Sequence, residues 1–297
     1  MHTTRNYGLV KKITARVAYP AIIALGFYIY WLCYYHFHFP LSPSTFIAIG
    51  ICAILITILE SAMPYRTSWN PNFKDLATDS VYLGLVQIFI PKLVTFLIAI
   101  FILNFTNTHG WNVHTLWPHH YPVWVQFLMM LFIGDFFRYW IHRFIHNNDT
   151  LWRLHAVHHS SKKLYWINTA RFHPLEKMAQ FAVDMGPFIV MGVSEHVLAV
   201  FFVFYAVDGF FQHCNIDLKM GFLNYLVSGP QLHHWHHSSV KREGNKNFAT
   251  HIILYDLLFG TWYLPKDREV DELGLTEKNY PQDFIKQQAS PFTHRGY

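Results

Sequence analysis

The chain has 297 residues, 52% of them hydrophobic, 18% aromatic and only 14% charged, a balance outside the usual water-soluble range and toward membrane proteins. Its formal net charge of +5 does not come from a Lys/Arg-rich stripe with interleaved aromatics, so no nucleic-acid partner is expected. Cys33, Cys52 and Cys214 lie far apart beside apolar runs, without CxxC or disulfide-like spacing, and read as buried packing residues.

About 20 apolar residues cross a bilayer as a helix. Four segments reach that length: Tyr19 to Phe39, Ser44 to Met63, Ser80 to Asn104 and Pro122 to Ile141. The basic start (Arg5, Lys11, Lys12, Arg16) runs into the first of them without a small-residue cleavage site, which predicts a retained helix. A fifth apolar region, about Met178 to Phe211, is interrupted at Met191-Gly192-Val193-Ser194-Glu195-His196. It forms either two short helices that dip in and return, or one long tilted span.

Lys and Arg are absent from the predicted outer connections, Pro40 to Pro43 and Phe105 to Tyr121. They occur in the N-terminus, in the loop with Arg66 and Lys74, and abundantly after Ile141. The excess of positive charge on cytoplasmic loops then places the N-terminus, His142 to Lys177, and the chain from His213 onward on the cytoplasmic side. The triplet Asn104-Phe105-Thr106 lies too near a helix end to be read as a glycosylation site. After Pro265 the chain turns polar and charged, as a solvated tail does. The expected division is 1–130 for the N-terminal membrane helices, 131–265 for a catalytic region and 266–297 for the tail.

Three of the histidine groupings have regular spacing: His142-Arg-Phe-Ile-His146, His155-Ala-Val-His158-His159 and His233-His234-Trp-His236-His237. Residues three and four apart share a helix face, so each cluster can bring two or three imidazoles to one point. All three fall on one predicted membrane face, which accidental spacing would not require. Eight imidazoles exceed the four ligands of a closed zinc site, so two metal ions are the natural count, with His213 as a further candidate ligand. Imidazole suits iron, zinc, copper and nickel alike. A site at the membrane face meets lipid hydrocarbon, whose C–H bonds yield to activated oxygen, and zinc has no redox chemistry, which favours iron.

Other histidines read differently. His36, His38, His109, His114, His119 and His120 fall at outer helix ends or in the outer loop, and His2, His196, His251 and His294 lack a partner at ligand spacing. All ten are expected to be interfacial or solvated. His234 is expected to point away from the cluster that surrounds it.

From about Leu131 to Pro265 the chain resembles the fatty acid hydroxylase and sterol desaturase superfamily of integral-membrane di-iron enzymes. The resemblance rests on the three clusters together with Asp135-Phe-Phe-Arg138, Asn168-Thr-Ala-Arg171-Phe-His173-Pro174-Leu-Glu176, Gln212-His213-Cys-Asn215 and Tyr255-Asp256-Leu-Leu-Phe-Gly260-Thr261. It implies an all-α, multi-pass helical bundle with a cytoplasmic cap that holds a His-rich di-metal centre. It also implies two Fe ions, O2 as co-substrate, and hydroxylation or desaturation of a lipid, whether sterol, fatty acyl chain, ether lipid or carotenoid. His142, His146, His155, His158, His159, His213, His233, His236 and His237 carry over as ligands. Asp135, Arg138, Asn168, Arg171, His173, Glu176, Asp208, Asn215 and Asp256 carry over as groups that orient them, Asp135 and Asp256 by accepting a ligand's second N–H. Two positions depart from the family pattern: Asp208 stands where relatives offer another histidine, and Ala249 where glycine is common.

The chain carries no GxGxxG, no CxxCH and no cysteine set for an iron–sulfur cluster. A separate reductase, ferredoxin or cytochrome is therefore the expected electron donor, with a bacterial inner membrane as the expected location. The rival classes are a zinc-dependent membrane hydrolase, which would want an HExxH signature, and a non-catalytic metal-binding or transport protein, a transporter's ligands lying more often near the midplane.

Overall fold

The computed structural model describes residues 8–109 and 116–293; His2, His114 and His294 lie outside them, as does Arg5. The described residues are helical, with no strands beyond isolated bridges such as Pro64 to Ile216. In chain order the helices are α1 (Leu9–Trp31), α2 (Leu41–Ala62), α3 (Phe73–Val81), α4 (Ile90–His109), α5 (Val123–His146), α6 (Asp149–His159), α7 (Pro174–Asp184), α8 (Gly186–Val190), α9 (Glu195–His213), α10 (Pro230–His236), α11 (Lys241–Gly244), α12 (Leu254–Leu258) and α13 (Phe284–Thr293).

Helices α3 and α4 form one rod through a π-helical stretch, Tyr82–Phe89. Pro91 follows directly; it lacks an N–H and its ring crowds the carbonyl four residues back, and a widened turn relieves both. A capping box at Asn72 and Asp75 fixes where the rod begins.

Among the described residues, four segments are long and apolar enough to cross a membrane: Leu9–His36, Leu41–Ala62, Phe73–Thr106 and Glu195–His213. Three coincide with expected spans. The fourth expected span falls on α5, which at 24 residues is long enough but carries Asp135, Arg138, His142, Arg143 and His146. The fifth apolar region is split at its sequence break, into α7 and α8 before it and α9 after it, and α9 is by itself long enough to cross a membrane rather than one of two short helices. Gly192, at φ 78°, turns the chain after α8, and the Ser194 hydroxyl caps α9 by accepting from Val197 N–H.

The bundle packs α9 against α1, α2 and α5. Gly26 permits the close approach of α1: a Cβ there would lie 3.2 Å from Cys52 Sγ and 3.3 Å from Val203 Cγ1. All three cysteines are buried and free. Ile54, Ile58, Phe96, Phe101, Trp124 and Phe137 point outward and are exposed, an apolar collar that only lipid would cover without penalty.

The remaining elements form a cap at one end of the bundle. Glu60, at the end of α2, accepts from the backbone N–H groups of Trp166 and Asn215, tying the bundle to the cap. The segment after Pro265 is not the solvated tail its composition suggests. Val270, Leu273 and Tyr280 are buried, and Gln287 of α13 accepts from the Tyr82 hydroxyl and donates to Ser160. A few well-placed apolar residues among the charges suffice to fold it back.

Candidate metal centre

Helices α5, α6, α9 and α10 converge where bundle meets cap, and their histidines fall into two groups. His142, His146, His155, His159 and His236 form one; His158, His213, His233 and His237 form the other. Within each group, one ring nitrogen per residue lies within 4.8 Å of all the others. Every member is buried.

Hydrogen bonds fix the orientation of six rings. The Nδ1–H of His142 donates to Phe248 O at 2.7 Å, that of His146 to Asn245 Oδ1 at 3.1 Å and that of His236 to Lys246 O at 2.8 Å. His155 Nδ1–H donates to Glu176 Oε1 at 2.6 Å, His158 to Arg171 O at 3.2 Å and His213 to Asn168 Oδ1 at 2.8 Å. With Nδ1 protonated, each Nε2 is a bare lone pair directed at its group, the arrangement a metal-binding imidazole needs.

The nitrogens that remain show why a cation suits the site. His146 Nε2, His159 Nε2, His213 Nε2, His233 Nδ1, His236 Nε2 and His237 Nδ1 are buried without a partner, at about 1–3 kcal/mol each when left unsatisfied. The Nε2 atoms of His142 and His155 face each other at 3.0 Å, lone pair toward lone pair. Burial, then neighbouring imidazoles, pushes His158, His159, His233 and His237 well below the ordinary histidine range. Burial also takes His236 down to about 3. Neutral rings are the form that binds metal, and the donor set therefore fits two ions.

Aromatic rings close the site. Phe172 stacks on His158 with centroids 4.1 Å apart, Trp152 lies 4.8 Å from His146, and Phe248 lies 5.2 Å from His146.

The expected orienting residues are placed at different removes. Glu176, Asn168 and Arg171 touch a ligand histidine directly. Asp256 does so at one step, accepting from Phe248 and Ala249 N–H, so that Phe248 O is held for His142. Asp135 does not accept from a ligand; its carboxylate takes the backbone N–H groups of His251 and Ile252 and ties α5 to that loop. His173 joins neither group, and its Nδ1 caps α7 by accepting from Leu175 N–H at 3.2 Å. Asn215 bonds to Arg66 and Asn70, Arg138 faces Asp184 at 3.4 Å, and Asp208 accepts from Tyr19 and His251 at 2.6 and 2.7 Å.

His251 corrects its expectation. Far from solvated, it is 1% exposed and lies between Asp208 and Asp135, which hold its pKa above the ordinary value against the opposing effect of burial. Ligand spacing is blind to a residue paired through tertiary contact. His36, His38, His119 and His120 are exposed, as expected. His234 packs between Tyr65 and Trp69, away from both groups.

A cavity of about 750 Å³ runs from His142, His155, His158, His213 and His233 into the bundle, between α2, α4, α7 and α9. Leu41, Phe46, Ile49, Ala53, Ile88, Phe202 and Phe210 make most of its wall apolar.

Comparison with known proteins agrees with this geometry. The family model described as fatty acid hydroxylase matches residues 127–261. Ornithine lipid hydroxylase OlsE of Rhizobium tropici is 33% identical over 82% of this chain and 73% of its own length. Alkylglycerol monooxygenase of Danio rerio is 30% identical over 56% of this chain and 36% of its own. Sphinganine C4-monooxygenase 1 of Arabidopsis thaliana is 26% identical over 54% and 62%. No solved structure matches significantly. With the histidine clusters inside the matched segment and one relative similar over most of both chains, this membrane protein belongs to the fatty acid hydroxylase family.

Proposed function

We propose that the chain is an O2-dependent oxidoreductase that hydroxylates or desaturates an amphiphilic lipid, with two iron ions held by the two histidine groups. The observation that carries this reading is the placement of five and four buried imidazoles at the inner end of an apolar cavity. A pair of iron ions bound there supplies the redox chemistry with O2 that an unactivated C–H bond requires.

The residues of the chain supply the rest. Glu176, Asn168, Asn245 and the carbonyls of Arg171, Lys246 and Phe248 fix the rings, so little reorganisation is needed when metal binds. Phe172, Trp152 and Phe248 exclude water from the reacting space. The apolar wall aligns a hydrocarbon chain toward the histidines.

The printed names of the relatives concern an ornithine lipid, alkylglycerols and sphinganine, all amphiphiles, which supports a lipid with a polar end here. The Lys/Arg distribution supports a cytoplasmic site and N-terminus, and the Rhizobium relative supports a bacterial inner membrane. Electrons come from a separate ferredoxin, cytochrome or reductase that docks on the cap. We assign residues 131–265 as the catalytic region and 1–130 as its membrane platform.

Protein purified from iron-supplemented cells is expected to carry iron and, with a reductant and bilayer lipid, to consume O2. Lipid extracts should then gain a species heavier by one oxygen or lighter by two hydrogens. Zinc alone, with lipid hydrolysis indifferent to O2, would overturn the reading, as would metal uptake without turnover.

A further inference from the structure

The cavity wall changes character beside His142 and His155. Arg138 of α5 and Lys177, Gln180 and Asp184 of α7 line it there, and all are nearly fully buried, at 7, 4, 2 and 6% exposure. Arg138 and Asp184 approach each other through one nitrogen and one oxygen, which leaves Arg138 Nε and Asp184 Oδ1 unpartnered. Gln180 donates its amide N–H to Glu176 Oε1 at 2.5 Å, and its own Oε1 is unpartnered. The Lys177 ammonium sits 5.5 and 5.7 Å from the ring centroids of Phe172 and Tyr205. Among the described residues it has neither an ion pair nor a hydrogen bond.

A buried ammonium without a hydrogen-bonded partner is destabilising, and unmet donors and acceptors add to that. Here the four side chains that carry these groups line one cavity, so an occupant that reaches them decides whether they are satisfied. A pure hydrocarbon or a sterol ring would leave all four dry. A group with an anionic oxygen for Lys177 and Arg138 and an N–H donor for Asp184 and Gln180 would satisfy them together. The rest of the cavity extends along α2 from Ala53 to Leu41, roughly 18 Å at 1.5 Å per residue, and is apolar enough for an acyl chain.

Resting on the functional reading above, we infer that Arg138, Lys177, Gln180 and Asp184 form a head-group subsite for a zwitterionic lipid. The carbon presented to the histidines then lies in the head group or the first few chain positions, not far down the tail. Amino-acid lipids, with carboxylate and ammonium, and phosphatidylethanolamine, with phosphate and ammonium, share this chemistry.

Binding read without turnover tests it. The metal-loaded protein in detergent is titrated calorimetrically with an ornithine lipid, phosphatidylethanolamine, palmitate and hexadecanol. At least one zwitterion is expected to bind roughly tenfold or more tightly than hexadecanol, and which of the two does so identifies the source. Lys177→Met should abolish the preference and Lys177→Arg should keep it. Gln180→Leu, which leaves the charges in place, should weaken it if Lys177→Met does not fold. Equal affinity for hexadecanol and both zwitterions, tightest binding of palmitate, or an unchanged preference in folded Lys177→Met or Gln180→Leu protein would overturn the subsite. A wild-type protein that shows no zwitterion preference while its iron content and O2 consumption are intact sinks this inference alone; a zwitterion-selective protein that never holds iron sinks the functional reading alone.

Discussion

His155 donates its Nδ1–H to Glu176 Oε1 at 2.6 Å while its Nε2 faces His142 Nε2 at 3.0 Å. The carboxylate thus fixes the tautomer of a ring whose other nitrogen points into the five-imidazole group. Glu176→Ala should weaken retention of the ion in that group by about 10–100-fold, measured as metal lost to a graded chelator. Glu176→Gln, which keeps an acceptor, should lose less. Equal retention in all three proteins would show that the carboxylate does not act on the metal.

The partition of the histidines predicts stoichiometry. His236→Ala removes a member of the five-imidazole group, and His158→Ala one of the four-imidazole group. Each should lower iron from two equivalents toward one, and the double variant should hold almost none. His119→Ala, at an exposed position between α4 and α5, should retain both. Metal analysis of the purified proteins gives the answer, and full loading of His158→Ala would break the second group apart.

Asp208 and His251 form a buried ion pair that touches neither group. Asp208→Ala strands His251 and the Tyr19 hydroxyl, a change expected to cost about 3–5 kcal/mol. The melting temperature in detergent should fall while iron per folded molecule stays near wild type. A stable variant that has lost its iron would mean that the pair supports the centre instead of the bundle.

Lys177 gives the head-group subsite a pH dependence. Burial, assisted by Arg138, pushes its ammonium down to about 8, against the opposing pull of Asp184 and Glu176; Tyr205 lies beneath it. Its folded pKa is lower than its unfolded one, so the charge is present below about pH 8 and lost above it. Zwitterion affinity of wild type should therefore decline from pH 7 to pH 9. Lys177→Arg, whose guanidinium stays charged, should hold its affinity across that range.

Spacing made the ligand clusters visible in the sequence but not their assignment to two groups. The pattern is simple afterwards. On a helix, residues four apart differ by about 40° and residues three apart by about 60° in the other direction. His142 with His146, His155 with His159, and His233 with His237 each stay together in one group, while His158 and His236 turn to the opposite one. Each HxxHH thus contributes to both groups, and the four-residue pairs were there to be read. The Nδ1 acceptors Asn245, Lys246 O and Phe248 O were not. They depend on a loop in which Asn247 adopts φ 55° and uses its side chain to bind Leu232 O and Tyr263 O, a conformation no periodicity announces. His251 and the segment after Pro265 escaped for a related reason, since their burial comes from partners far away in sequence. The apolar spans were legible because a bilayer demands length and hydrophobicity, which composition displays directly.

Helix α9 and the break before it lie between the first two histidine clusters and the third. A nascent chain that has emerged only as far as His213 offers His142, His146, His155 and His159 without His236, and His158 and His213 without His233 or His237. Neither set is whole until α9 has been inserted and α10 has left the ribosome. Both histidine groups are thereby completed only when most of the chain has been made.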